Sequence, residues 1–171
     1  MRESFKQLQT EGLVEIRPRV GTFVTTPSRR EIVELFEMKE LLEGAGARLL
    51  AQRGRVPEIS QLEQNLDRAR RAVADDDHAR YAELVHEFHN LLMAGADNAK
   101  LAGHYRTLMN QLAYSRLVIT SLSQPGRLAQ CDHEHRHVFR LIVAQDGANA
   151  ERVMREHVRA SRQALLAGLQ L

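Results

Sequence analysis

Residues 28–53, SRREIVELFEMKELLEGAGARLLAQR, carry the pattern of a long amphipathic helix. It opens on Ser28 with Glu31 three positions later, the reciprocal pair that satisfies backbone amides left over at a helix start. Ile32, Leu35, Phe36, Leu41, Leu42, Leu49 and Leu50 then trace an apolar face to about Arg53. Such a helix must bury one side against other helices, and the residues after it supply them. A second helix starts near Pro57, tolerated in a first turn, and runs through Ile59, Leu62 and Leu66 to the acidic break at Asp75-Asp76-Asp77. A third covers about 78–95, a fourth Asn98 to Leu122, a fifth Gly126 to Gln145 and a sixth Ala148 to Leu169. Six helices with short connections predict an all-α fold, an antiparallel helical bundle.

Upstream of Ser28 the pattern changes. Residues 1–11 read as the end of an amphipathic helix stopped at Gly12. LVEIRP and GTFVTT alternate apolar and polar residues around the turn Pro18-Arg19-Val20-Gly21, which predicts a β-hairpin. Helix end, hairpin and Pro27 together read as the last part of a winged helix. The expected division is therefore 1–26, a partial winged helix-turn-helix, and 28–171, a helical ligand-binding domain.

Composition excludes several classes. Hydrophobic residues form 43% of the chain and charged ones 27%, the balance of a soluble globular domain. No run approaches the roughly 20 apolar residues of a membrane helix. The N-terminus has no apolar secretory stretch, and the single Cys131 cannot form an internal disulfide, so a cytoplasmic protein is expected. A net charge of +2 leaves the partner open. Neither GxGxxG nor GxxxxGK[ST] occurs, so nucleotide hydrolysis has no support, and there is no HExxH or Cys-rich zinc motif.

The chain has eight His, and helix faces sort them. Leu128, Cys131, His135, Val138 and Ile142 step by three and four, which places His135 inward, whereas His133 and His137 share a polar face. Ala150, Val153, His157, Ala160 and Ala164 repeat the stepping and turn His157 inward. His89, between Val85 and Leu92, lies on or beside the buried face of the third helix. Each buried imidazole needs a partner for its nitrogens. Separate hydrogen bonds to carbonyls or carboxylates would serve. A shared divalent cation would serve all three at once, since three protein ligands plus an open position is the pattern of an accessible zinc site. Glu83 and Glu87 read as solvated and Cys131 as a small core residue. Glu134 is the remaining candidate catalytic carboxylate, and no general base is placed convincingly.

The residues also resemble a known family. Arg2-Glu3-Ser4-Phe5 through Leu8, then Glu11 to Val24, resembles the recognition-helix end and wing of GntR transcriptional regulators. Met38-Lys39-Glu40-Leu41-Leu42-Glu43 with Ala47-Arg48-Leu49, Phe88-His89 with Asn98, and Glu134-His135 with Asp146 and His157 resemble the motifs of the FCD effector domain of the FadR subfamily. The resemblance implies that His89, His135 and His157 ligate a divalent metal, zinc foremost, with nickel or another ion as alternatives. It implies a small organic acid effector, operator DNA as partner of the full-length protein, and a homodimer. Many metal-binding members carry Asp or Asn where this chain has Val85, so His86 is a candidate fourth ligand, with water or the effector as alternatives. Lys39 stands at a position usually Arg, and it or Arg116 is expected to neutralise the effector's carboxylate. Arg2, Arg17 and Arg19 are the expected DNA contacts. Nothing precedes Met1, so a truncated winged helix that binds DNA poorly is expected.

The expected function is thus a non-enzymatic, metal-assisted sensor of a small carboxylate metabolite. Two rivals remain open at this level: a helical-bundle metal-dependent hydrolase using the same histidines, and an interaction domain with a metal-free histidine core.

Overall fold

The computed structural model describes residues 6, 8–10, 13–25, 27–112 and 114–169, with the backbone alone at 114–116. Residues 6 and 8–10 are helical. Strands β1 (Val14–Arg17) and β2 (Gly21–Val24) form the expected antiparallel ribbon, in register Val14 to Val24 and Arg17 to Gly21. Arg19 takes a left-handed φ of 62° in the turn, and both β2 and the turn stand in solvent.

Seven helices follow among the described residues: α1 (Arg29–Arg53), α2 (Pro57–Ala74), α3 (His78–Gly95), α4 (Ala99–Gln111), α5 (Tyr114–Leu122), α6 (Arg127–Val143) and α7 (Gly147–Gly168). Their starts follow from local chemistry. Ser28 caps α1 in a capping box, its amide donating to Glu31 Oε2 at 2.8 Å. Asp77, Asn98 and Asp146 cap α3, α4 and α7 through their side chains, and Pro57 opens α2. α1 stops at Gly54, whose φ of 70° and ψ of −132° suit a residue without Cβ.

α1 lies along α7; α2 packs on α3, and α6 on α7 and α2. Phe36, Leu50, Leu62, Leu84, Phe88 and Met154 belong to the shared core. The all-α class is as expected, with two corrections. The helix expected over Asn98–Leu122 is two helices, broken around Leu112. No Pro or Gly marks the break, because it is set by packing: α4 lies on α1, whereas α5 lies on α7 and α3. The second correction concerns the inner face of α1. Leu41 is 48% exposed, while Lys39 and Glu43 are fully buried. Pairing of an ammonium with a carboxylate one turn apart lets two charges replace apolar residues inside.

Candidate metal centre

Three helices each bring one imidazole to the middle of the bundle. His89 comes from α3, His135 from α6 and His157 from α7, and all are buried. One ring nitrogen of each lies within 4.8 Å of the others. His135 Nε2 is 3.2 Å from His157 Nε2. Phe88, next to His89 on α3, stacks on His135 with centroids 4.2 Å apart and planes 13° from parallel, which fixes that ring's tilt.

The opposite nitrogens of two rings meet carboxylates. His157 Nδ1 lies 2.7 Å from Glu134 Oε2, and Arg127 grips Glu134 with a two-pronged contact at 2.9 and 2.8 Å. Arg127 also donates to Ser161 Oγ at 2.9 Å. His89 Nδ1 lies 2.9 Å from Glu43 Oε1 in an ion-pair contact. That same oxygen is 2.7 Å from Lys39 Nζ and accepts from Tyr105 OH at 2.7 Å. A carboxylate behind an imidazole holds the Nδ1 proton and leaves Nε2 as a lone pair, the arrangement by which proteins orient histidine ligands.

Electrostatics keep the rings neutral. Burial lowers His89 to about 4 against a partial pull upward from Glu43. Burial, together with His157 and His89, holds His135 well below its ordinary value. His157 is lowered by burial despite Glu134. Burial acts to raise Glu134, yet His157 and Arg127 hold it down at about 2, so it stays ionised. Burial likewise acts to raise Glu43, and His89 and Lys39 more than offset it, leaving the carboxyl lowered. Cys131 is pushed up to about 11 by burial and remains a thiol.

The donor set fits a divalent cation. His89 Nε2 is buried without a hydrogen-bond partner among the described residues. Two neutral imidazoles cannot present lone pairs to each other at 3.2 Å unless a proton or cation lies between them. Tetrahedral zinc with bonds of about 2.0–2.1 Å spaces its nitrogens by roughly 3.3 Å.

Other expected site residues fall elsewhere. His86 is exposed and outside the cluster, which corrects its candidacy as fourth ligand: three residues turn it about 60° round α3 from His89, enough to reach solvent. Val85 is buried on α3, one turn before His89. Lys39, expected to face an effector, is instead enclosed against Glu43. The Arg116 side chain and Arg2 lie outside the described residues. Arg17 is exposed on β1, 2.9 Å from Glu15 and over the Phe23 ring, and Arg19 is exposed in the turn. Sequence reasoning missed Glu43, Tyr105 and Arg127. Glu43 carried a usable signal, one turn after Lys39 on the same face; Arg127 and Tyr105 carried none.

The FCD domain model matches residues 34–160, a span that holds all three histidines and both carboxylates. The chain belongs to the FCD domain family, which places it among GntR-type transcriptional regulators. It is similar to the HTH-type transcriptional repressor RspR of Escherichia coli (strain K12), 29% identical over 162 residues that cover 92% of this chain and 68% of that protein. Among solved structures, E. coli McbR/YncC shares the fold at a TM-score of 0.79 and 17% identity, over 99% of this chain and 84% of the other. Streptococcus agalactiae GntR does so at 0.65 and 22%, over 95% and 79%. No helix among the described residues is long and apolar enough to cross a membrane.

Proposed function

We propose that the helical part of the chain, 28–171, senses a small carboxylate metabolite with the help of a divalent cation held by His89, His135 and His157, zinc foremost. The observation that carries the reading is the convergence of three buried, neutral imidazoles, two of them backed by ionised carboxylates. A bound cation would offer a carboxylate oxygen the coordination position that three protein ligands leave open. Glu134 and Glu43 orient His157 and His89 and keep their Nε2 atoms unprotonated. Arg127 fixes Glu134, and Phe88 fixes the plane of His135. Lys39 acts through Glu43, balancing a charge that would otherwise be buried alone.

In this reading residues 1–26 are the wing end of a DNA-binding head, with Arg17 and Arg19 placed in solvent where phosphates would approach. The protein acts as a homodimer on operator DNA, and the effector biases the arrangement of its two heads. Elemental analysis of purified protein tests the reading. Stoichiometric zinc or nickel is expected in the chain and none after His135→Ala combined with His157→Ala. Metal-free wild-type protein after zinc incubation, or unchanged content in the double variant, refutes it.

A further inference from the structure

Three imidazoles leave one tetrahedral position unfilled, and a buried sulfur stands beside them. We infer that Cys131 is the fourth metal ligand in the effector-free protein, completing a site of three nitrogens and one sulfur. Cys131 is 2% exposed and lies on α6 one turn before His135. Residues four apart share a helix face, and helical side chains lean toward the N-terminus, so the His135 ring reaches back over the turn that carries the thiol. Sγ lies 3.9 Å from His135 Nε2, the same atom that is 3.2 Å from His157 Nε2. Zinc bonds of about 2.3 Å to sulfur and 2.0–2.1 Å to nitrogen set a tetrahedral separation of roughly 3.5 Å between those donors, so sulfur and ring need to close by only a few tenths of an ångström. The inference rests on the metal reading above and adds one ligand to it.

Two polar atoms in this part of the core lack the partners they need. His89 Nε2 is buried without a hydrogen-bond partner among the described residues, and His89 belongs to the same triad as His135. The Tyr81 hydroxyl is buried on α3 without a nitrogen or oxygen partner among the described residues. Burial and the adjacent Cys131 both hold its proton on, so it remains a donor. A neutral thiol is a weak acceptor for it. A metal-bound thiolate is a stronger one, because a hydrogen bond to an ionised acceptor is shorter and stronger than a neutral one. One arrangement thus serves both atoms: His89 gives its lone pair to the ion, and Tyr81 donates to the sulfur bound to it. Cys131 exchanges its S–H bond for the metal–sulfur bond, and the proton leaves to water.

Other donors are engaged or turned away. Glu134 and Glu43 stand behind His157 and His89 on their Nδ1 sides, held there by Arg127 and by Lys39 with Tyr105. His86 is exposed. Cys131 also lines a small internal cavity with Val85, Arg127 and Ser161, and among the described residues of that wall it alone carries a thiol or carboxylate. A soft sulfur donor biases the site toward zinc and away from manganese or magnesium, which favour oxygen.

X-ray absorption of the zinc-loaded chain and ultraviolet–visible spectra of the cobalt-loaded chain test the inference. One sulfur at about 2.3 Å and a sulfur-to-cobalt charge-transfer band are expected, and Cys131 is the single Cys of the chain, so a thiolate signal has one source. Cys131→Ser should remove both signals and weaken zinc by about tenfold or more, while manganese binding changes less. Tyr81→Phe should keep the sulfur but move the charge-transfer band to lower energy, since the thiolate loses its donor; an unmoved band would sever Tyr81 from the site. If Cys131→Ser does not fold, the wild-type sulfur signal decides. A wild-type shell of nitrogen and oxygen only, a band that survives Cys131→Ser, or zinc affinity in that variant within about twofold of wild type overturns the inference while the metal reading stands. Wild-type protein that binds neither zinc nor cobalt overturns the reading beneath it, and the inference falls with it.

Discussion

Glu134→Gln separates a positioning carboxylate from a merely buried one. In the wild-type chain the carboxylate accepts from His157 Nδ1 at 2.7 Å and from both Arg127 terminal nitrogens. Nε2 of His157 is thereby left as a lone pair aimed at His135. A carboxamide has one acceptor oxygen for these two demands. If the oxygen stays on Arg127, the amide NH2 faces Nδ1 and drives the imidazole proton onto Nε2, where it blocks a metal. Loss of such a partner lowers metal affinity about 10–100-fold, or roughly 1.4–2.7 kcal/mol. The metal-free fold should lose less than the 3–5 kcal/mol or so of a broken buried ion pair, because Glu134 keeps 17% side-chain exposure and Gln retains one bond to Arg127; about 1–3 kcal/mol is expected. Competition for zinc against a chromophoric chelator reads the first quantity, and urea unfolding of the metal-free chain reads the second. A folded variant whose zinc affinity lies within about twofold of wild type refutes the assignment of Glu134 as the group that orients His157.

Glu43→Gln tests the same logic on α3: it should weaken zinc by about tenfold or more through His89, and an unchanged affinity would show that Glu43 serves only Lys39. The metal-free chain should lose stability on mild acidification. His89 is depressed from 6.5 to about 4 in the folded chain, so the unfolded chain protonates first. Its contribution is complete above about pH 6.5 and declines towards pH 4, by roughly 3 kcal/mol for His89 alone, with His135 and His157 acting in the same direction. Urea midpoints that are flat or rise from about pH 7 to 4.5 would contradict the neutral triad. Gly54→Ala should destabilise the fold by about 1–2 kcal/mol, read as a lower melting temperature, because a Cβ is strained at φ 70° and ψ −132°; an unchanged melting point would mean that the turn between α1 and α2 relaxes without cost.

Much of this was legible in residue spacing. The capping box at Ser28 and Glu31, Pro57, the acidic break and Asp146 mark helix ends by local hydrogen-bonding chemistry that involves only near neighbours in the chain. The inward faces of His135 and His157 followed from steps of three and four, since rotation per residue is a local property of a helix. Leu41 shows where that reasoning stops. Hydrophobicity put it inside, but α1 turns Lys39 and Glu43 inward because each neutralises the other, and Leu41 is left half exposed.

Residue spacing was thus enough for the all-α bundle, the β-ribbon before it and the three imidazoles that point inward. Packing between helices set the rest: these imidazoles meet, Glu43 and Glu134 stand behind two of them, Arg127 lines an internal cavity, and the chain breaks near Leu112. The division has a physical cause. Caps and faces depend on residues within one or two turns, whereas ligand distances and charge pairing depend on how helices far apart in sequence are set against one another.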